Sequence, residues 1–228
     1  KYDITLETGS DCEVLIDLYQ LIGEEQMLEE IDGEFAFVLY DEAKDLYIAS
    51  RDHLGVRGMY MGTDDSEIYF SSESKAIALS KELNQFPPGH YWNSYTDKIV
   101  PYFIHDYETT SFTEDDYCKK INKLLTESVE KRMMSERPLG CLLSGGLDSS
   151  LVAGILARKL KEKGKQLETF SIGLEGSPDI TAAQKVADHI GSKHHSITCT
   201  EQDFLDQLEH TVYMLGSYDV TTIRASVG

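Results

Sequence analysis

The run Ser144-Gly145-Gly146-Leu147-Asp148-Ser149-Ser150 has the residue types and spacing to hold a phosphate group. Adjacent glycines tolerate positive φ and let backbone N–H groups approach a ligand closely. Hydroxyls flank them, and the helix-forming stretch Leu151 to Lys163 follows. A helix N-terminus entered through such a turn presents converging donors and a favourable dipole to an anion. The spacing is not that of a Walker loop, which needs a lysine directly after its last glycine. Here the nearest downstream lysines, Lys159 and Lys161, lie at least about two helical turns further on. The Gly-x-Gly-x-x-Gly dinucleotide fingerprint is absent as well. The competing reading is a glycine turn between a buried strand and a helix, with Asp148 and the serines as caps.

Two regions of different grammar must position this loop. Up to about residue 98 the pattern is strand-rich, which predicts antiparallel sheet. It reads as a helix over Asp11 to Ile22, a strand over Gly33 to Tyr40, a turn at Asp41 to Asp45 and a strand over Leu46 to Ser50. A polar elbow, Arg51 to Gly55, comes next. A hairpin (Met59 to Met61, Glu67 to Phe70) and a short helix over Ser74 to Lys81 complete the region. Residues 99–112 read as a linker. From 113 onward helices alternate with short apolar strands: helix Glu114 to Met134, strand Leu139 to Leu143, the glycine loop and its helix, and strand Leu167 to Leu174. Ser177-Pro178-Asp179 opens another helix with a cap, a proline at its first position and a first-turn acid. Strand His195 to Cys199 and helix Glu201 to Leu215 follow. That order predicts a parallel sheet with crossover helices, and ligands of such sheets bind beyond the strands' carboxyl ends.

Composition narrows the classes. Hydrophobic residues make up 41% of the 228, enough for ordinary cores. The formal charge of −19, from 21 basic and 40 acidic residues, argues against a nucleic-acid partner held through its phosphates. Cys12, Cys118, Cys141 and Cys199 are widely spaced and read as thiols of a reducing compartment. No apolar run reaches about 18 residues and no leader pattern is present, so a cytoplasmic address without membrane attachment is expected. The chain opens at Lys1 without a methionine, and it is expected to be part of a longer protein.

The Ser-Gly-Gly-x-Asp-Ser loop resembles the pyrophosphate loop of the ATP-pyrophosphatases. With it, Thr169 to Leu174, Ser177-Pro178-Asp179 and Tyr218 to Ser226 resemble the synthetase domain of glutamine-hydrolysing asparagine synthetases. Upstream, Thr8 to Glu13, Gly33 to Phe37 and Arg51 to Gly55 resemble the class II glutamine amidotransferase domain of that family. The resemblance implies an incomplete α+β amidotransferase domain of Ntn-hydrolase type over residues 1–98. An incomplete α/β ATP-pyrophosphatase domain over 113–228 would follow. It implies ATP-dependent synthesis of asparagine from aspartate, with glutamine as nitrogen donor, through β-aspartyl-AMP and pyrophosphate.

Site residues carry over by position. Leu143 and Ile172 would contact ATP as walls for the adenine, and Ser144, Gly145, Gly146, Leu147 and Ser149 would bind its pyrophosphate portion. Asp148 would help hold Mg²⁺. Thr221, Thr222 and Arg224 match the segment linked to aspartate and its adenylate, and a guanidinium fork suits a carboxylate or phosphate. Arg224 also reads as a surface arginine paired with some acid. Asp11 matches the position that binds glutamine, and reads equally as a helix N-cap. Arg51 and Asp52 read as structural, while His53, His194 and His195 read as non-ligands. The family's N-terminal cysteine nucleophile and its Gly-Glu-Gly-Ser-Asp-Glu loop do not occur in these 228 residues. The sequence as it stands is therefore expected to hydrolyse no glutamine and to make no asparagine, the implied activity being that of the parent enzyme. A homodimer, a sibling that closes a β-lactam or amidates another acid, and a non-catalytic nucleotide-binding protein all remain open.

Overall fold

The computed structural model describes residues 2, 7–104, 107, 111–135, 137–217 and 219–227. The chain divides into two compact units, residues 1–108 and 109–228.

In the first unit the predicted helix is longer than expected. Helix α1 (Glu13–Glu30) bends at Gly23, whose φ is 77°, and then resumes. The second half resumes because Met27 and Leu28 are buried against the sheet with Leu18, Tyr19, Leu46, Ile48 and Tyr91. Strands β1 (Ala36–Asp41) and β2 (Leu46–Arg51) pair antiparallel. Asp41 shapes their turn by accepting the N–H groups of Ala43 and Lys44 at 3.1 and 3.2 Å. Strands β3 (Tyr60–Thr63) and β4 (Ile68–Ser71) form the predicted hairpin.

The helix expected over Ser74 to Lys81 is a single 3₁₀ turn, Ser74–Ile77. The chain then enters β5 (Glu82–Gln85), which pairs antiparallel with β3. Strands β6 (His90–Asn93) and β7 (Lys98–Pro101) extend the first sheet to the order β1-β2-β6-β7, beside a second sheet β4-β3-β5. The linker expected to begin at residue 99 therefore begins inside β7: Ile99 and Val100 pair with Trp92 and Tyr91.

In the second unit, helix α2 (Glu114–Lys131) starts on a capping box, Thr113 and Asp116 bonding reciprocally. Val129 is the buried residue of this helix, while Ile121 and Leu124 are exposed. Strand β8 (Gly140–Leu142), helix α3 (Leu147–Glu162), strand β9 (Glu168–Leu174), helix α4 (Pro178–Ile190) and strand β10 (Lys193–Cys199) follow. The strands form a parallel sheet of order β10-β9-β8, as the β-α-β-α-β pattern predicts. Helix α5 spans Glu201–Leu215, and an unforeseen helix α6 spans Val220–Ser226. Leu143, Leu167 and the inward faces of α3 and α4 (Ala153, Leu156, Ala157, Leu160, Ala183, Ala187) form the core. Among the described residues no helix is long and apolar enough to cross a membrane.

Candidate functional site

The loop between β8 and α3 is built by its neighbours on both sides. Leu143 donates its N–H to the Phe170 carbonyl at 2.8 Å, extending the parallel ladder one residue past β8. Gly145 then takes φ 79°, a conformation that L side chains rarely adopt. Gly146 is the N-cap of α3, and no side chain caps that helix. The first-turn amides of an α-helix have no acceptor inside it, so those of Leu147, Asp148 and Ser149 point out of the N-terminus. The helix begins four residues before the expected Leu151, which brings Asp148, Ser149 and Ser150 into its first turn.

The loop hydroxyls hold one another. Ser144 Oγ lies 2.9 Å from Ser149 Oγ, which also receives the Ser144 N–H at 3.3 Å. Ser150 Oγ donates to the Gly146 carbonyl at 2.6 Å. Asp148 is exposed on the same turn. The set is a half-cup of amides and hydroxyls beside one carboxylate, at the carboxyl edge of a parallel sheet. It can receive a polyanion and its cation.

In the first unit, Asp11 precedes α1 and is exposed. The N-cap position belongs to Cys12, and no side chain caps the helix. Glu13 instead folds back to accept the N–H groups of Glu7 and Thr8 at 2.6 and 2.8 Å and the Thr8 hydroxyl at 2.6 Å. The Thr8 hydroxyl, then these two amides, hold the Glu13 carboxyl below the usual carboxylate range. The capping alternative for Asp11 therefore falls away, and its carboxylate accepts from the Cys12 thiol at 3.8 Å.

The Arg51-Asp52 elbow is rigid for a different reason than an ion pair. Arg51 spends its guanidinium on three backbone carbonyls: Arg57 at 2.6 Å, Phe86 at 2.8 Å and Gly55 at 2.7 Å. Asp52, 1% exposed, accepts the N–H groups of Leu54, Val56 and Arg57 at 3.0 to 3.1 Å. Burial pushes its carboxyl up, yet these donors outweigh burial and the net shift is downward.

Thr221, Thr222 and Arg224 lie together on α6, beside α5. Asp219 caps α6 and accepts both the N–H and the hydroxyl of Thr222 at 2.8 Å. Those bonds hold the Asp219 carboxyl below its ordinary range, the backbone amide contributing most. Ile172, Cys199, the inner residues of α5 and the end of α6 (Ser226, Val227) line a cavity of about 430 Å³.

Residues 1–126 match the family described as glutamine amidotransferase domain. The chain belongs to that family. Residues 120–228 match the family described as asparagine synthase. Among curated proteins, the chain is 42% identical to asparagine synthetase B [glutamine-hydrolyzing] of Escherichia coli K12, over 96% of this chain and 42% of that protein. It is 43% identical to asparagine synthetase [glutamine-hydrolyzing] 2 of Oryza sativa, over 96% of this chain and 39% of that protein. A probable asparagine synthetase [glutamine-hydrolyzing] of Schizosaccharomyces pombe is 42% identical over 99% and 44% respectively. The chain thus spans about two fifths of the length of the curated relatives it matches.

Within this amidotransferase-family chain the structure gathers Ser144 to Ser149 into the β8–α3 loop and the first turn of α3. It places Ile172 on one cavity with Ser226 and Val227 at the end of α6, while Thr221, Thr222 and Arg224 do not line it. Leu143 departs from its expected role. Its side chain is 1% exposed in the core, so it cannot wall a ligand, whereas Ile172 is 43% exposed. Strand parity explains the difference, because alternate residues face opposite sides of a sheet. Among the described residues no hydrogen bond or ion pair joins Thr221, Thr222 or Arg224 to the loop, and the Thr222 hydroxyl is already spent on its cap.

The histidines also find partners that the sequence did not announce. His195 Nε2 lies 2.9 Å from Glu168 of the neighbouring strand, and the ring stacks on Phe170. His194 sits between the hydroxyls of Thr169 at 2.9 Å and Ser171 at 3.0 Å. Burial first, and then nearby His195, lower its pKa, while Asp188 opposes the shift. Among the described residues no cluster of three acids, histidines or cysteines is placed to hold a metal ion.

Proposed function

We propose that this chain carries the adenylating loop and part of the amidotransferase portion of an ATP-dependent, glutamine-hydrolysing asparagine synthetase. The observation that carries the proposal is the uncapped N-terminus of α3, entered through a positive-φ glycine at the carboxyl edge of a parallel strand. The two families matched in series support it. On this reading the first unit is of Ntn-hydrolase type and the second of ATP-pyrophosphatase type, with the junction after β7, before residue 113.

The residues fit the cofactor. Mg²⁺ prefers carboxylate, water and phosphate oxygens to an all-protein cage, and Asp148 offers one exposed carboxylate beside the loop. Bound there, the ion would neutralise charge on the phosphates. The amides of Leu147 to Ser149 and the hydroxyls of Ser144 and Ser149 would grip the β- and γ-phosphates and stabilise the leaving pyrophosphate. Ile172 would border the nucleoside, with the adjoining cavity beyond it. Arg224 would orient aspartate so that a side-chain carboxylate oxygen attacks the α-phosphorus. The bond from that phosphorus to the bridging oxygen breaks, giving β-aspartyl-AMP and pyrophosphate. Ammonia released from glutamine then attacks the acyl carbon, and AMP leaves. Asp11 would meet the glutamine ammonium. The four free cysteines fit a reducing, cytoplasmic setting.

Pyrophosphate release by the longer parent enzyme, measured across a panel of carboxylic acids with MgATP, tests the reading. Aspartate should support the fastest release. A faster rate with another acid would overturn the substrate, and absence of MgATP binding would overturn the site.

A further inference from the structure

Helix α4 touches the loop at a point that leaves no room for a side chain on Gly145. A methyl group on Gly145 would lie 2.5 Å from the backbone N of Ala183, and 2.6 Å from both the backbone C and the Cβ of Ala182. Carbon contacts are comfortable only from about 3.5 Å, so the apex of the loop rests directly on the helix backbone. The entry to the loop is fixed by the same helix, because Leu143 shares its core with Ala183, which is 0% exposed. The end of the neighbouring strand is held as well: a methyl on Gly173 would lie 3.2 Å from Ile180 Cγ1. Three points on two strand ends thus bear on the first two turns of α4.

We infer that Ala182 and Ala183 are positioning residues for the pyrophosphate loop. They act through Gly145 and touch no ligand. The inference rests on the nucleotide reading above for its functional consequence, and on the geometry alone for its structural one. Pressed against the helix, Gly145 has no room to swing away, so the amides of Leu147 to Ser149 keep one orientation before any phosphate arrives. Preorganised donors of this kind are worth more than donors that must be ordered on binding. A larger residue at 182 displaces the loop without removing any of its donors.

Ala182→Val tests this. Hydrogen exchange of the amides of residues 144–149 should quicken roughly tenfold or more, with the α5 amides unchanged. The MgATP dissociation constant should weaken by about tenfold or more, since misplacement by an ångström is costly to such sites. Ala187→Val overpacks the same helix away from the loop and should show no loop-selective change. Gly145→Ala makes the clash from the other side. Adding Ala182→Gly to it should not restore binding, because two of the three close contacts are to backbone atoms. Unchanged loop exchange in Ala182→Val, equal loosening in both valine variants, or rescue by Ala182→Gly would each overturn the inference. Loop-selective loosening in a protein that binds no MgATP would leave the positioning role standing and remove the nucleotide reading.

Discussion

Replacing Asp52 by asparagine isolates the force that shapes the elbow after β2. One carboxylate oxygen accepts the Leu54 and Val56 amides and the other accepts that of Arg57. An asparagine can keep its carbonyl toward the first two, but its NH₂ then meets the Arg57 N–H donor to donor. One charge-assisted bond is lost outright and two become neutral. Bonds to charged groups contribute about 1.5–3 kcal/mol and neutral ones about 0.5–1.5 kcal/mol. Easier burial of a neutral amide offsets part of the loss, leaving a net destabilisation of about 2–3 kcal/mol.

Trp92, the single tryptophan, is buried in the same unit, so its fluorescence during urea unfolding reads this unit. The midpoint should fall with the slope unchanged. The pH dependence carries a sign. The folded pKa of Asp52 lies below its ordinary value, so its contribution is complete above an unfolded value of about 3.9 and disappears as pH falls through the folded pKa. The gap between wild type and Asp52→Asn should therefore be full at neutral pH and shrink below about pH 4. A loss under about 0.5 kcal/mol, the range of inert surface changes, or a gap that widens in acid, would refute the reasoning.

Three other outcomes follow from the geometry. In the longer enzyme of which this chain is proposed to be a part, Asp148→Ala should reduce aspartate-dependent pyrophosphate release by about a hundredfold or more while leaving glutamine hydrolysis largely intact, and parallel assays of the two activities check this. His194→Gln should flatten the acid limb of stability. The depressed folded pKa means that wild type is fully stabilised above the unfolded value of about 6.5 and loses that share as pH falls through the folded one. Thermal midpoints between pH 5 and 8 read the difference. Ser177→Ala removes the acceptor that caps α4 through the Asp179 N–H at 3.2 Å. It should lower stability by about 1 kcal/mol, measured by urea titration of far-ultraviolet dichroism.

The glycine loop, the cap-and-proline start of α4 and the β-α-β-α-β order were legible because each is a local signal: positive φ, a missing N–H and hydrophobic period all act within a few residues. The expected end of α1 failed because a glycine that breaks a helix does not prevent it from resuming when Met27 and Leu28 find a core. Strands β5, β6 and β7 escaped notice since Glu82 to Gln85 is mostly polar, His90 to Asn93 follows the Pro87-Pro88-Gly89 break, and Ile99 and Val100 follow a turn. Their backbone partners lie elsewhere in the chain, and pairing, rather than propensity, makes them strands.

What residue order alone determined is the chemistry on offer: which donors, acids and glycines stand in series, and that a parallel sheet must present them at its edge. Tertiary structure decided where each side chain spends its bonding capacity. It turned Leu143 inward and Ile172 outward, gave Arg51 the carbonyl of Phe86, set Glu168 beside His195 and pressed Gly145 onto α4. Each of those outcomes depends on register and packing between segments far apart in the chain, which no local pattern encodes.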